Sequence, residues 1–105
     1  MQDFKNITAV ELQTMLSAGD VHLIDVRTDA EVARGYIPGA IKLPLHLLPM
    51  KLHEMERGAA MVFYCQMGGR SAQAAAFASM QGYSNVFNLQ GGILAWASSG
   101  QPLTA

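Results

Sequence analysis

A single short stretch combines residues that favour an ionised thiol. Cys65 is the only cysteine in the chain and directly follows the apolar run MVFY. Gly68, Gly69 and Arg70 come soon after it, and an alanine-rich segment begins at Ser71. Glycines allow a tight turn whose amide groups converge on one point, while a helix N-terminus and an arginine add positive charge there. We therefore predict a thiolate at Cys65, which would be a nucleophile at neutral pH.

The alternative for Cys65 is a small buried hydrophobe, a common role for an isolated cysteine after an apolar strand. A residue that only fills space needs neither a loop of inward-pointing amides nor a cation beside it. The glycine pair and Arg70 therefore favour chemistry at this position.

The elements that would position this stretch alternate between helix and strand. Thr8 with Glu11, and Thr28 with Glu31, have the spacing of capping boxes, which predicts that a helix follows each threonine. Strands are predicted in VHLIDV, at 40–43, in MVFYC and in NVFNL, and further helices at 47–55, 71–81 and 92–98. This alternation predicts an α/β fold with a largely parallel sheet and helices on both faces. Ligands of such sheets lie beyond the carboxyl ends of the strands, where Cys65 is placed.

Other polar residues are expected near the same edge of the sheet. Asp25 and Arg27 follow a buried strand, so they could face the Cys65 loop. We expect structural support from them rather than chemistry, with Arg27 and Glu31 as an ion pair that orders the entrance. Ser71 could donate a hydrogen bond to the sulfur, but its position favours beginning or capping the following helix.

Composition excludes several classes of function. The chain has 105 residues, of which 50% are hydrophobic and 14% charged, which predicts one domain over residues 1–105. A net charge of −1 without a basic run argues against nucleic acid or an anionic membrane as a partner. The sequence shows no signal peptide or long apolar stretch, so a cytoplasmic protein is expected. Its three histidines lack metal-ligand spacing, so we predict no metal and no cofactor.

Three segments of the chain resemble signatures of the rhodanese family of sulfurtransferases. LIDVRTDAEVARGYIPGAIKLP is similar to the amino-terminal signature, VFYCQMGGRS to the active loop, and GGILAW to the carboxyl-terminal signature. The resemblance implies a three-layer α/β/α domain around a five-stranded sheet. It also implies that Cys65 carries persulfide sulfur in a cradle made by the backbone of Gln66, Met67, Gly68, Gly69 and Arg70.

The resemblance implies transfer of sulfane sulfur from a small donor to a thiophilic acceptor. Donors would be thiosulfate or a glutathione or protein persulfide. Acceptors would be cyanide in an assay, and a thiol or a sulfur-carrier protein in cells. Gln66 stands where many thiosulfate-using members have a basic residue, and Tyr36 where histidine is usual. The first departure weakens the case for thiosulfate.

Two other functions fit parts of the pattern. Cysteine phosphatases and arsenate-handling enzymes also place a cysteine and an arginine around an anion-binding loop, but five residues separate the two. Only four separate Cys65 from Arg70, a loop better suited to one sulfur atom than to a phosphoryl group. A non-catalytic binding module that merely keeps the fold is the third possibility, since fold alone does not prove activity.

Overall fold

A parallel sheet forms the centre of the protein. The computed structural model describes residues 4–105. Five strands make up the sheet: β1 (Lys5–Ile7), β2 (Val21–Asp25), β3 (Ile41–Lys42), β4 (Ala60–Tyr64) and β5 (Val86–Leu89). Their order is β1-β5-β4-β2-β3, and every neighbouring pair is parallel. The predicted α/β fold with a largely parallel five-stranded sheet is therefore confirmed.

Four α-helices connect these strands and a fifth follows β5: α1 (Ala9–Ala18), α2 (Asp29–Ala33), α3 (Leu48–Lys51), α4 (Gly69–Met80) and α5 (Gly92–Ser98). Both predicted capping boxes are present. The Thr8 hydroxyl accepts from the Glu11 amide at 3.1 Å, and the Glu11 carboxylate accepts from the Thr8 amide at 2.8 Å. Thr28 and Glu31 repeat the arrangement at the start of α2. These contacts span three residues, so the sequence encodes them directly.

Successive side chains of the central strand, β4, lie in two separate buried clusters, one on each face of the sheet. Met61, Phe63 and Cys65 belong to one buried cluster, which also contains the alanines on the inner face of α4. Val62 and Tyr64 belong to the other, which contains residues of α1 and α5. Successive side chains of a strand point to opposite faces, so this period of two builds the three layers. It also points Cys65 towards α4.

The observed elements differ from the sequence prediction at several places, among them the strand predicted at 40–43, which is only Ile41–Lys42. β1 was not predicted, because three residues carry too little pattern to identify a strand. The helix expected at 47–55 is only Leu48–Lys51, flanked by 3₁₀ turns at Leu45–Leu47 and Leu52–Glu54. α4 begins at Gly69 instead of Ser71, which moves Ser71 into the first turn. Within residues 4–105, no helix has the length and apolar character needed to cross a membrane.

Candidate active site

The sulfur of Cys65 accepts three hydrogen bonds at the carboxyl end of β4. The Gly68 amide lies 3.1 Å from Sγ, and the amide and hydroxyl of Ser71 each lie 3.4 Å from it. Cys65 is only 2% exposed and Ser71 is fully buried, so water does not substitute for these donors. Three donors converging on one sulfur favour its anionic form.

The loop achieves this convergence through one glycine. Gly68 has φ of +113°, a left-handed conformation that L side chains rarely adopt, and it precedes the first residue of α4. Gly69 has an ordinary helical backbone, and a side chain there would meet nothing within 4 Å. Of the two glycines expected to allow the tight turn, only Gly68 has a backbone angle that other residues rarely adopt.

The pKa of the Cys65 thiol reflects two opposing effects. Burial raises it, but the hydrogen bonds from the hydroxyl and amide of Ser71 and from the Gly68 amide, with a smaller contribution from the Met67 amide, bring the pKa below its ordinary value. Of the two roles considered for Ser71, the hydrogen bond to the sulfur is present, whereas the favoured role of beginning or capping α4 is wrong. The cap position belongs to Gly68, and Ser71 instead directs both of its donors at the sulfur.

Arg70 is occupied by an ion pair on the other side of the loop. Its two terminal nitrogens bind the two carboxylate oxygens of Glu31 at 2.7 and 2.8 Å. The hydrogen bond from Arg70 lowers the pKa of Glu31 from 4.5 to about 2. Because Arg70 is committed to this carboxylate, the hydrogen bonds on the sulfur come from amides and a hydroxyl. The pKa of Arg70 is raised first by Glu31 and also by the charge of Cys65, so Arg70 acts on the thiolate through its charge.

The predicted side-chain pair between Arg27 and Glu31 is wrong. Arg27 instead binds Asp25, with Nη2 2.7 Å from Oδ2 and Nε 3.0 Å from Oδ1. Both residues are buried, at 3% and 1% exposed, and Arg27 also donates to the carbonyl of Gly35 at 2.7 Å. Asp25 lies two residues before Arg27 at the end of the same strand, so its carboxylate binds the Arg27 guanidinium. Arg27 contacts Glu31 only at the backbone carbonyl oxygen, at 3.5 Å.

Family comparison agrees with this geometry. The family described as Rhodanese-like domain matches residues 8–99. The chain belongs to this family. A sulfurtransferase of Allochromatium vinosum is 47% identical over 93 residues, covering 89% of this chain and 87% of that protein. The thiosulfate:glutathione sulfurtransferase of Homo sapiens is 34% identical over 105 residues, covering 86% of this chain and 90% of that protein.

A solved structure has the same fold over nearly the whole chain. The crystal structure of a rhodanese-related protein from Thermoplasma volcanium superposes with a TM-score of 0.88 at 31% identity, covering 96% of this chain and 98% of that one. Together with the similar sulfurtransferases, this supports sulfur transfer of the rhodanese type in general for this chain.

The two side chains after Cys65 differ in exposure in this rhodanese-like domain. Gln66 is partly buried and lines a cavity beside the loop, whereas Met67 is 71% exposed. Tyr36 lines a different cavity, and its backbone pairs with Thr104 at 2.8 and 2.9 Å. The loop therefore offers an apolar residue to solvent and no unpaired cation of its own.

Sequence reasoning missed two supports of the loop. Asn88 is buried on β5 and donates to the Gly68 carbonyl at 3.4 Å. At Gly92, φ is +61°, and a Cβ would lie 2.4 Å from the carbonyl oxygen of Gln66. The glycine pair in GGILAW was a visible signal for such a close approach, because only glycine fits against another backbone. For Asn88 no signal in the sequence was available.

Proposed function

We propose that this rhodanese-like protein is a sulfurtransferase of the thiosulfate:cyanide type, which accepts sulfane sulfur from thiosulfate or from a glutathione or protein persulfide and carries it as a persulfide on Cys65. The observation that carries the proposal is the set of three donors around Cys65 Sγ at the carboxyl end of β4. These donors stabilise a thiolate before the reaction and suit a negatively charged outer sulfur after it.

Loading of Cys65 is a nucleophilic displacement at sulfur. The Cys65 thiolate attacks the sulfane sulfur of the donor, a new S–S bond forms, and the bond to the leaving group breaks. With thiosulfate the leaving group is sulfite, and with an organic persulfide attacked at its outer sulfur it is the parent thiolate. This displacement leaves the persulfide Cys65–S–S⁻ and needs no external oxidant or reductant.

Unloading requires a second molecule, because the chain has no other cysteine. An acceptor thiolate attacks the outer sulfur, and the Cys65 thiolate leaves. Cyanide would serve in an assay, and a small thiol or a sulfur-carrier protein in cells. Two separate displacements through one covalent intermediate give ping-pong kinetics.

Among donors, the loop favours an organic persulfide over thiosulfate. Gln66 is uncharged, and Arg70 is bound to Glu31 through both terminal nitrogens. A thiosulfate dianion would therefore meet amide dipoles but no free guanidinium in the loop. The name of the relative from Homo sapiens makes thiosulfate and glutathione the first compounds to test as donor and acceptor.

Phosphatase or arsenate chemistry is less well supported by the same geometry. A phosphoryl group needs guanidinium and amide donors for its equatorial oxygens. Arg70 already binds a carboxylate, and the loop has four residues where the phosphatase pattern has five. A non-catalytic binding module would not require three donors on a buried sulfur.

Mass spectrometry of the intact protein tests the proposal. After incubation with thiosulfate or an organic persulfide, we expect the mass of one added sulfur atom, which cyanide removes as thiocyanate. The Cys65→Ser variant should gain none. Turnover of an aryl phosphate without any sulfur gain would instead favour a phosphatase, and neither activity in the folded protein would favour a binding module.

A further inference from the structure

A buried asparagine on β5 contacts the loop that holds the Cys65 sulfur. Asn88 is 4% exposed, and its Nδ2 donates to the carbonyl of Gly68 at 3.4 Å. The amide of the same glycine is the nearest donor to Cys65 Sγ, at 3.1 Å. Gly68 therefore connects Asn88 to the sulfur through its own two backbone groups. The two displacements proposed above assign no role to Asn88.

The sheet register places Asn88 on the same face as Cys65. Asn88 pairs with Phe63 of β4, and Phe63 belongs with Cys65 to the buried cluster under α4. Val86, two residues before Asn88, belongs to the same cluster. Because side chains two apart on a strand share a face, the side chain of Asn88 lies on the side of α4 and reaches its first turn.

The side-chain amide of Asn88 has a defined orientation. Its Nδ2 also donates at 2.9 Å to Oδ1 of Asn6, the residue paired with it on β1. The two hydrogens of Nδ2 thus meet two oxygens, and exchange of the nitrogen and oxygen ends would place an oxygen against both. The shorter contact to Asn6 therefore fixes the amide so that its second hydrogen points at the Gly68 carbonyl.

The oxygen of the same side chain shows that stability alone does not explain Asn88. Among residues 4–105, Oδ1 of Asn88 is buried and has no hydrogen-bond partner. A buried polar atom without a partner lowers stability, and an apolar side chain of the same shape avoids that loss. The Gly68 carbonyl also accepts from the Ala72 amide at 3.1 Å, so it stays paired without Asn88. The contact thus favours a role in orientation.

The backbone of Gly68 needs such a restraint. With φ of +113° and no Cβ, this residue can rotate about its backbone bonds more freely than any other residue of the loop except Gly69. Rotation would turn its amide away from Cys65 Sγ. A carbonyl held from β5 limits that rotation. Close packing adds to the restraint, since a Cβ at Gly68 would lie 3.4 Å from the amide nitrogen of Gly91.

We propose that Asn88 is a positioning residue, which holds the Gly68 carbonyl and thereby keeps the Gly68 amide directed at the Cys65 sulfur. Asn6 contributes by fixing the side-chain amide of Asn88. The consequence for sulfur transfer rests on the proposed function, because the same Gly68 amide faces the sulfur during loading. Asn88 acts only through Gly68.

Asn88→Leu tests the assignment, because leucine has the same branched shape and no donor. The rate of Cys65 alkylation by iodoacetamide across pH gives the pKa of the thiol as its midpoint. We expect the midpoint to rise by about half a unit, since the Gly68 amide is loosened but still present. The melting temperature should not fall, because the change removes the unpartnered oxygen and leaves exposed Asn6 to water. Asn88→Ala avoids any misfit of the larger leucine and should move the midpoint in the same direction.

Asn85→Leu is the matched control, because it makes the same change at an exposed residue directly before β5, at the opposite end of the strand. Its midpoint should equal that of the wild type. An unchanged midpoint in the folded Asn88 variants would overturn the assignment, and with a lowered melting temperature it would show a purely structural role. An equal shift in Asn85→Leu would overturn it as well.

NMR spectra of isotope-labelled protein follow the two amides on the sulfur directly. In the wild type, the amide resonances of Gly68 and Ser71 should both change with pH at the Cys65 midpoint. In Asn88→Leu the change at Gly68 should become smaller, while that at Ser71 should remain. If both amides kept their wild-type changes in Asn88→Leu, the positioning role would be rejected.

These measurements separate the inference from the proposed function, because they require a thiol but no sulfur transfer. If Asn88→Leu responds as expected while the wild type gains no sulfur from any donor, the proposed function fails and Asn88 still positions the Gly68 amide. If the wild type loads normally and Asn88→Leu keeps the wild-type midpoint, the positioning role fails and the proposed function stands.

Discussion

Replacing Ser71 by alanine isolates one of the three donors on the Cys65 sulfur. The Ser71 hydroxyl is lost, while the Ser71 and Gly68 amides remain at 3.4 and 3.1 Å. A hydrogen bond to a charged group contributes about 1.5–3 kcal/mol, and one pKa unit corresponds to about 1.4 kcal/mol. We use the lower value, about 1.5 kcal/mol, because the two amide donors remain on the sulfur. We therefore expect the pKa of Cys65 to rise by about one unit, since burial excludes water from the vacated position.

The rate of Cys65 alkylation by iodoacetamide, measured across pH, gives this pKa as the midpoint of the profile. In Ser71→Ala the midpoint should move upward, and alkylation below both midpoints should slow. The plateau at high pH should not fall, because a thiolate with a higher pKa is the stronger nucleophile.

Ser79→Ala is the matched control on the same helix. Among residues 4–105 the buried Ser79 hydroxyl has no hydrogen-bond partner, so its removal should leave the midpoint unchanged. If Ser71→Ala left the midpoint in place or lowered it, or if Ser79→Ala moved it equally, the hydroxyl would not be stabilising the thiolate and the argument for this site would fail.

Three further substitutions have definite expected results. Glu31→Gln removes the partly exposed ion pair with Arg70 and should lower the free energy of unfolding near pH 7 by about 1 kcal/mol in urea titrations. Because the pKa of Glu31 is lowered to about 2, the wild-type stability from this pair is present above pH 4.5 and is lost as the pH falls through 2. Gly69→Ala should stabilise the fold by about 0.5 kcal/mol in thermal melts, since its site is helical and open. Met67→Lys places a cation on the exposed loop and should speed loading by thiosulfate about threefold at low salt.

Each of these three has a control in the chain. Glu54→Gln removes an exposed partner of Lys51 at 3.8 Å and should change stability by less than about 0.5 kcal/mol; an effect as large as that of Glu31→Gln would contradict the argument. Gly92→Ala should unfold or strongly destabilise the protein, so equal melts for the two alanine variants would refute the reading of the loop. Met80 is 79% exposed at the far end of α4, so Met80→Lys should not change the rate of loading by thiosulfate. An equal increase of that rate in Met80→Lys would show a general charge effect.

Local interactions allowed much of the fold to be predicted from the sequence. Both capping boxes join residues three apart, and the apolar run before Cys65 fixes a strand. Because strands and helices alternate, the parallel sheet and the position of Cys65 at its carboxyl edge followed without further information. The turn at Gly68 was likewise readable, because a glycine between a strand and a helix indicates a special backbone angle.

Only the tertiary structure decided which charged group meets which. Glu31 was expected to pair with Arg27, but it pairs with Arg70, which lies 39 residues further along the chain. Their pairing follows from the adjacency of β2 and β4 in the sheet, where the segments beyond both strand ends emerge side by side. The direction of the Ser71 hydroxyl also depended on a two-residue shift in the start of α4. Spacing along the chain encodes contacts within one turn, whereas contacts between distant segments exist only once the sheet order is set.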